Sequence, residues 1–282
     1  FYQQPASDPL SMEWQPTPYT APLLVAGVTS LALAAYALLD RGRSDEPLAW
    51  TFAGVATAAA VWSLAYAAQL SAAALDVTLS WNRVVWVGVA GMAVAWPAFV
   101  LTYVDGPEWL RPRRLALLGL VPVTVVGAVW TVGAAPLFYR DPALVDAGGY
   151  LVSVYAPTPA LLGFVGYAYA VDLLTFAALG YTAAVRDSVF RRQAALLFVA
   201  GVVPLAAGAA GIAGVVGPDS GFVDFTPMAF AATAALVAWV VVRYRLLDVS
   251  PIARDAVFAN LSDGVVVCDA DARIVDRNDP AR

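Results

Sequence analysis

LAWTFAGVATAAAVWSLAYAAQL, residues 48–70, contains no charged side chain. Its polar side-chain atoms are the hydroxyls of Thr51, Thr57, Ser63 and Tyr66, the indole N–H groups of Trp50 and Trp62, and one amide, Gln69. A helix on the surface of a soluble protein keeps a polar face at 3.6-residue spacing, and this stretch has none. At 1.5 Å per residue it is long enough to cross the roughly 30 Å hydrocarbon core of a bilayer. The stretch therefore reads as a transmembrane helix.

Six further runs have the same character. With the first, the expected spans are Thr20–Leu39, Leu48–Leu70, Asn82–Val104, Arg114–Ala134, Ala160–Ala184, Ala194–Val216 and Phe225–Val242. Short polar breaks separate them: residues 40–47, 71–81, 105–113, 135–159, 185–193 and 217–224. No arginine precedes the first run, which also exceeds the apolar core of a signal peptide, so it is read as a true span. Only 13% of the 282 residues are charged and 61% are hydrophobic, with mean hydropathy +0.71. A soluble chain carries about 25% charged residues. The expected fold is an all-α membrane bundle of seven helices.

Three absences limit the chemistry. The chain has no lysine, so a retinal Schiff base has no amine to form on. It has no histidine, which removes imidazole ligation of haem or metal and any phosphohistidine within these residues. Cys268 is the single cysteine and has no internal disulfide partner. No cofactor is therefore expected. The acidic residues are mostly aspartate, the pI is near 4.6, and every basic residue is arginine; this composition suggests a GC-rich genome and a high-salt habitat. A net charge of −5 gives no reason to expect a nucleic-acid partner.

Orientation follows from the arginines near span ends. Arg41, Arg43, Arg111, Arg113, Arg114, Arg186, Arg191, Arg192, Arg243 and Arg245 fall on one side; Arg83 and Arg140 fall on the other. The bias puts the N-terminus outside the cell and the C-terminus in the cytoplasm, as a multi-pass protein of the cell membrane. Trp14, Trp50, Trp81, Trp109 and Tyr244 lie near span edges, where amphipathic rings anchor at the interface.

Several membrane residues are candidates for function. Asp172 lies in the middle of the fifth span, where a carboxylate costs about 3 kcal/mol on insertion scales unless it is neutralised, paired or hydrated. Tyr169, Thr175 and Phe176 share its helical face, so that face is expected to point inward as a ligand, ion or proton site, or to hydrogen-bond another helix. Tyr66, Gln69, Arg83, Tyr155, Tyr167 and Asp224 are expected at the outer mouth, with Asp76 or Asp224 as partners for Arg83. Arg111, Arg113, Arg114, Arg191 and Arg192 form a cytoplasmic collar. Ala207, Gly211 and Val215, beside Gly208, Gly214 and Gly217, read as a close-packing face of the sixth span. Pro97, Pro122 and Pro204 interrupt the hydrogen-bond ladder inside spans.

Beyond the seventh span the pattern changes. Asp248-Val249-Ser250-Pro251 is a helix-start signature, followed by an amphipathic stretch, Ile252–Leu261. Val265–Asp269 and Arg273–Asp276 read as strands on either side of an Asp271-Ala272 turn. Two such strands are only marginally stable alone, so they are expected to open a larger domain.

FANLSDGVVVCDADARIVDRNDPAR (258–282) resembles the opening of a PAS domain. VRYRLLDVSPIARDAVFANLSDGVVV (242–267) is similar to the junction by which the seven-helix region of archaeal-type sensor histidine kinases joins a PAS domain. The resemblance continues upstream through VWSLAYAAQL (61–70), LSWNRVVWVG (79–88), WPAFVLTYVDGPEWLRPRRLALLGLVP (96–122), RRQAALLFVAGVVP (191–204) and VDFTPMAFAATAALVAWVVVRYRLLD (223–248). Gln69 stands where the family often has a carboxylate. Thr131-Val132-Gly133 and Pro136 replace a Thr-Asn pair and a His, and small residues around Ala207 and Gly208 replace an Asn.

The resemblance implies an extracellular tail (1–19), a transmembrane sensor domain (20–245), a linker helix (246–261) and the start of a PAS domain (262–282). It further implies that Arg243, Arg245, Asp248 and Pro251 carry a signal inward, with a homodimer passing it to a kinase core and a response regulator. These residues contain no Gly-rich ATP-binding box, so no catalysis is expected within them. The rival expectations are a transporter with Asp172 as coupling carboxylate, and a receptor feeding a non-kinase output.

Overall fold

The computed structural model describes residues 14–39, 46–185, 188–218, 222–244, 264, 266–268 and 274–277. The chain runs α1 (Thr20–Leu39), α2 (Glu46–Ser71), α3 (Leu75–Asp105), a 3₁₀ turn (Pro107–Leu110), α4 (Pro112–Thr131) and a short α5 (Ala134–Phe138). Then come β1 (Tyr139–Asp146), β2 (Leu151–Pro157), α6 (Pro159–Val185), α7 (Ser188–Ile212), α8 (Thr226–Tyr244), β3 (Val266–Cys268) and β4 (Ile274–Arg277). Among the described residues six helices, α1–α4, α6 and α7, are long and apolar enough to cross a membrane, and Thr226–Val240 of α8 is a shorter apolar helix. With the apolar surface these helices present, the chain is a multi-pass membrane protein.

Helix ends explain where the sequence expectations need correcting. The polar break expected at 71–81 is mostly helix, because α3 begins at Leu75, seven residues before Asn82. Asp76 in its first turn complements the positive end of the helix dipole, and the Thr78 and Ser80 hydroxyls bond to carbonyls four residues back instead of breaking the helix. The α7 helix likewise starts early, at Ser188, and stops at Ile212 instead of Val216. Its end is a Schellman motif: the Val215 N–H bonds to Ala210 O, the Gly214 N–H to Gly211 O, and Gly214 takes φ 67°. Val215, Gly214 and Gly217 therefore lie beyond the helix and do not continue the small-residue face. Pro112 sits at the first position of α4, where its missing N–H costs nothing.

The helices bury their faces in two layers along the bundle. At one end, which carries Arg111, Arg113, Arg114, Arg191 and Arg192, the core holds Phe52, Phe99, Tyr103, Phe176, Leu179 and Leu197. Tyr103 donates to Phe190 O (3.3 Å) and Gln193 Oε1 (3.2 Å), joining α3 to α7. At the other end, Leu23, Tyr66, Val85, Val152 and Val223 form one cluster. Trp86, Phe138, Tyr139 and Phe164 form another beside it. The α2–α3 seam is close: a methyl on Gly88 would lie 2.5 Å from Trp62 N and 2.7 Å from its Cα.

The interval 135–159, expected as a plain break, is an ordered cap. β1 and β2 pair antiparallel from Tyr139↔Pro157 to Asp146↔Leu151, with a bulge between Arg140 and Ala143 where Asp141 takes φ 50°. The Asp146 carboxylate closes the turn by accepting from the Gly148 and Gly149 N–H groups, both at 2.8 Å. The N-terminal segment stitches this hairpin to the bundle. Gln15 Nε2 donates to Leu70 O (3.0 Å) and Leu151 O (2.8 Å), while Gln15 Oε1 accepts from Leu151 N (2.7 Å). Phe222 N donates to Ser153 O (3.1 Å), tying the segment before α8 to the same hairpin.

β3 and β4 pair antiparallel across residues 266–277. The expected helix Ile252–Leu261 and residues Arg245, Asp248 and Pro251 lie outside the described residues, whereas Arg243 lies within α8.

Candidate functional site

Two sites face each other along the bundle: a polar cluster under the hairpin and a cavity at mid-depth. The cluster is built on α2. Buried Tyr66 receives the Asp224 N–H on its hydroxyl oxygen at 2.7 Å, and Asp224 Oδ1 accepts from Thr226 N at 2.9 Å, capping the first turn of α8. Ser63 Oγ, one turn from Tyr66, donates to Pro227 O at 3.2 Å. The start of α8 is thus held to α2 by two polar contacts, through Tyr66 and Ser63.

Burial drives the Asp224 carboxyl above its ordinary range, against the opposing hydrogen bonds from Thr226. The hairpin adds Tyr139 and Tyr155, whose rings lie 4.3 Å apart. Burial pushes the Tyr139 phenol up to about 12, although Asn82 and Trp86 donate towards it; the Trp86 Nε1 bond is 3.0 Å. Burial raises Tyr155 further, with Tyr139 and Asp224 adding repulsion. All three groups are therefore held in their neutral, protonated forms over a wider pH range than in water.

The cavity, about 190 Å³, lies between α1, α2, α3, α6, α7 and α8. Its wall is aromatic: Phe52, Trp62, Trp96, Phe164, Tyr169, Phe176 and Phe230 all contribute. Asp172, midway along α6, supplies the one charged side chain among the lining residues. Its carboxylate is half-buried and has no hydrogen-bond or ion-pair partner among the described residues. Trp96 Nε1 donates to Thr175 Oγ1 at 3.1 Å and the Thr175 hydroxyl donates to the Asp172 backbone carbonyl at 2.7 Å, so Thr175 orients an aromatic wall and does not serve the Asp172 carboxylate. Gly201 makes room for that wall: a methyl there would lie 2.6 Å from Trp96 Cζ2 and 2.7 Å from Phe176 Cε1. The Trp62 indole N–H, buried on the α2 side, has no acceptor among the described residues.

The structure separates residues that the sequence placed together. Asp172, Tyr169 and Phe176 line the cavity; Tyr66, Tyr155 and Asp224 meet under the hairpin. Gln69 is linked to the hairpin cluster through Asn82: its buried Oε1 accepts from Asn82 Nδ2 at 3.1 Å across the α2–α3 seam, and Asn82 also bonds towards Tyr139. Tyr167 bonds instead to Leu118 O on α4 at 3.0 Å. Arg83 is exposed and forms no ion pair with Asp76 or Asp224; its Nη2 lies near Gly133 at the α4–α5 joint. The expected pairing fails because Asp224 is turned inward to cap α8 while Arg83 points out of the bundle.

Gln15, Trp62 and Tyr139 were not singled out from sequence. Tyr139 was open to discovery through the alternating, β-branched pattern of Leu151–Pro157 and the Asp146-x-Gly-Gly turn, which together signal a hairpin. At the opposite end, Arg111 pairs with Glu108, and Arg114 lies 4.7 Å over the Trp109 ring. Among the described residues no group of three or more His, Cys, Asp or Glu side chains is placed to hold a metal ion.

Residues 22–251 match a protein-family model described as the N-terminal 7TM region of histidine kinase. No curated protein matches the chain.

Proposed function

Because the chain belongs to the family of N-terminal 7TM regions of histidine kinases, we propose that it is the sensor input of a two-component system. In this reading α8 is the seventh span, its 19 residues falling within the roughly 17–25 needed to cross a bilayer. The hairpin lies outside the cell and the arginine end in the cytoplasm, as the positive-inside rule requires. A stimulus acting at the cavity or the cap displaces α8. The displacement passes through Arg243, Arg245, Asp248 and Pro251 into a PAS domain opened by β3 and β4, within a homodimeric kinase that phosphorylates a response regulator.

The observation that carries this reading is the position of α8. Thr226, Phe230, Thr233 and Val237 line the cavity, and Asp224 joins the first turn of the same helix to the capped cluster. One helix therefore touches both candidate sites and leads to the C-terminal segment. A sensor needs such a shared element, whose equilibrium both sites can bias.

Two experiments test the proposal. In a Cys268→Ser background, Ala143→Cys on the hairpin should react with an impermeant maleimide on intact cells, and Glu108→Cys only after lysis; the reverse pattern overturns the orientation. In the full-length kinase, Asp172→Ala should change basal or stimulated autophosphorylation. Unchanged activity in a well-folded variant removes the cavity from the signalling route.

A further inference from the structure

We infer that the mid-bundle cavity is a binding site for a small lipophilic amine in its ammonium form, with Asp172 as counter-ion and the surrounding rings as a cage. The inference deepens the sensor reading by naming the ligand class of that site, and it rests on four observations.

First, the lining is electrically one-sided. Asp172 is its one formal charge, no arginine lines it, and the carboxylate has no partner among the described residues. A carboxylate at the midplane of a membrane calls for a cation or a proton.

Second, the walls favour an organic cation over a metal ion. Trp62, Trp96, Phe176 and Phe230 present π-systems whose faces attract ammonium groups, most strongly where water is excluded. Hard cations need six or more oxygen ligands. Besides Asp172, the wall offers Tyr169 and the hydroxyls of Ser30, Thr226 and Thr233, and no cluster of metal-ligating side chains occurs among the described residues.

Third, the volume selects size. An apolar cavity of about 150 Å³ takes one benzene ring. About 190 Å³ suits one ring with a short aminoalkyl arm. Fourth, the cavity is kept open by design of its neighbours. Gly201 lets Trp96 and Phe176 lie against α7.

The test uses the whole chain in lipid nanodiscs, with empty nanodiscs as the blank for partitioning. Benzylamine and its neutral isostere benzyl alcohol are titrated while tryptophan fluorescence is followed. Benzylamine should quench saturably and bind at least about tenfold tighter than the alcohol, the factor that a desolvated cation–π contact or ion pair provides. Asp172→Asn should abolish that preference and Asp172→Glu should restore most of it. Gly201→Ala, which forces Trp96 and Phe176 towards the cavity, should weaken both probes.

Equal binding of the two probes overturns the assignment, as does tighter binding of the alcohol or an undiminished preference in Asp172→Asn. Should Asp172→Asn fail to fold, the probe comparison in the native chain and the Gly201→Ala result still decide the matter. Saturable amine binding that leaves autophosphorylation of the full-length kinase unchanged would sink the sensor reading and leave the amine site standing.

Discussion

The two halves of the bundle use the same residue type for opposite ends. In α2, 61% of the most apolar 18-residue window is buried inside the protein; in α4 and α6 the share is 17%. The difference lies in what the glycines do. Gly27 and Gly88 admit Leu64 and the Trp62 backbone so closely that a methyl would clash. Gly127, Gly163, Gly166 and Gly180, on α4 and α6, have nothing within 4 Å of where a methyl would stand. A close seam without water-driven burial depends on such backbone approach in a membrane. The α1–α3 side is thus a packed frame, while α4 and α6 mostly face outwards, and the cavity lies between that frame and α6, α7 and α8. Glycine content alone does not locate the seam.

The largest test of this contrast exchanges the two kinds of glycine. Gly88→Leu should destabilise by about 3 kcal/mol or prevent assembly, because the clash is with backbone that has no rotamer to yield. Gly180→Ala should be neutral or stabilising by up to about 1 kcal/mol, as expected for a helical glycine in open space. Denaturation in mild detergent measures both; equal losses would erase the distinction between the halves.

A second test addresses how the cap is fastened to the frame. Gln15→Ala removes side-chain bonds to Leu70 and Leu151 and should cost about 1–2 kcal/mol. Hydrogen exchange should accelerate in residues 139–157 and stay unchanged in the α2–α3 seam. Faster exchange in both would mean that cap and frame open as one unit.

A third test is titration. Asp224 is raised by burial, so the folded state binds its proton more tightly than the unfolded chain, whose value is near 3.8. Its contribution to stability is full below the unfolded value and is lost as pH rises through the raised folded value. Asp224→Asn should flatten this slope. Asp146 runs the other way: the Gly149 and Gly148 N–H bonds lower it, so its contribution is present above the unfolded value and fades as pH falls through the lowered one. The smallest effect belongs to Arg83→Ala, within about 0.5 kcal/mol, because the side chain is exposed and unpaired among the described residues.

The apolar runs were legible because lipid imposes one rule on every residue of a span. The α1 helix spans Thr20–Leu39 as read from sequence. Asp172, Tyr169 and Phe176 share a wall because three- and four-residue spacing fixes a helical face. The rest depended on contacts that no local pattern encodes. Gln15 bonds to backbone groups 55 and 136 residues away, and any amide in that segment looks alike in sequence. Asn82 was read as the start of a span because it is polar, yet its amide bonds to Gln69 and towards Tyr139 inside the bundle. The start of α3 was missed for the same reason: its hydroxyls bond back to the helix and not to water. The hairpin was passed over because a bilayer-length filter is blind to strands of seven or eight residues.

The fastening of α8 at its first turn has a mechanical consequence. With Asp224 on Tyr66, Pro227 O on Ser63, and Gly208 closed against Thr226, that end is a hinge pin. A pinned rod swings but does not slide. Its 19 residues make a lever arm of about 28 Å, so a swing of about 5° carries the Tyr244 end sideways by about 2.5 Å. A ligand the size of one ring, wedged part-way along the arm, would be magnified at the tip, and the direction of that swing would be set by which wall it pressed.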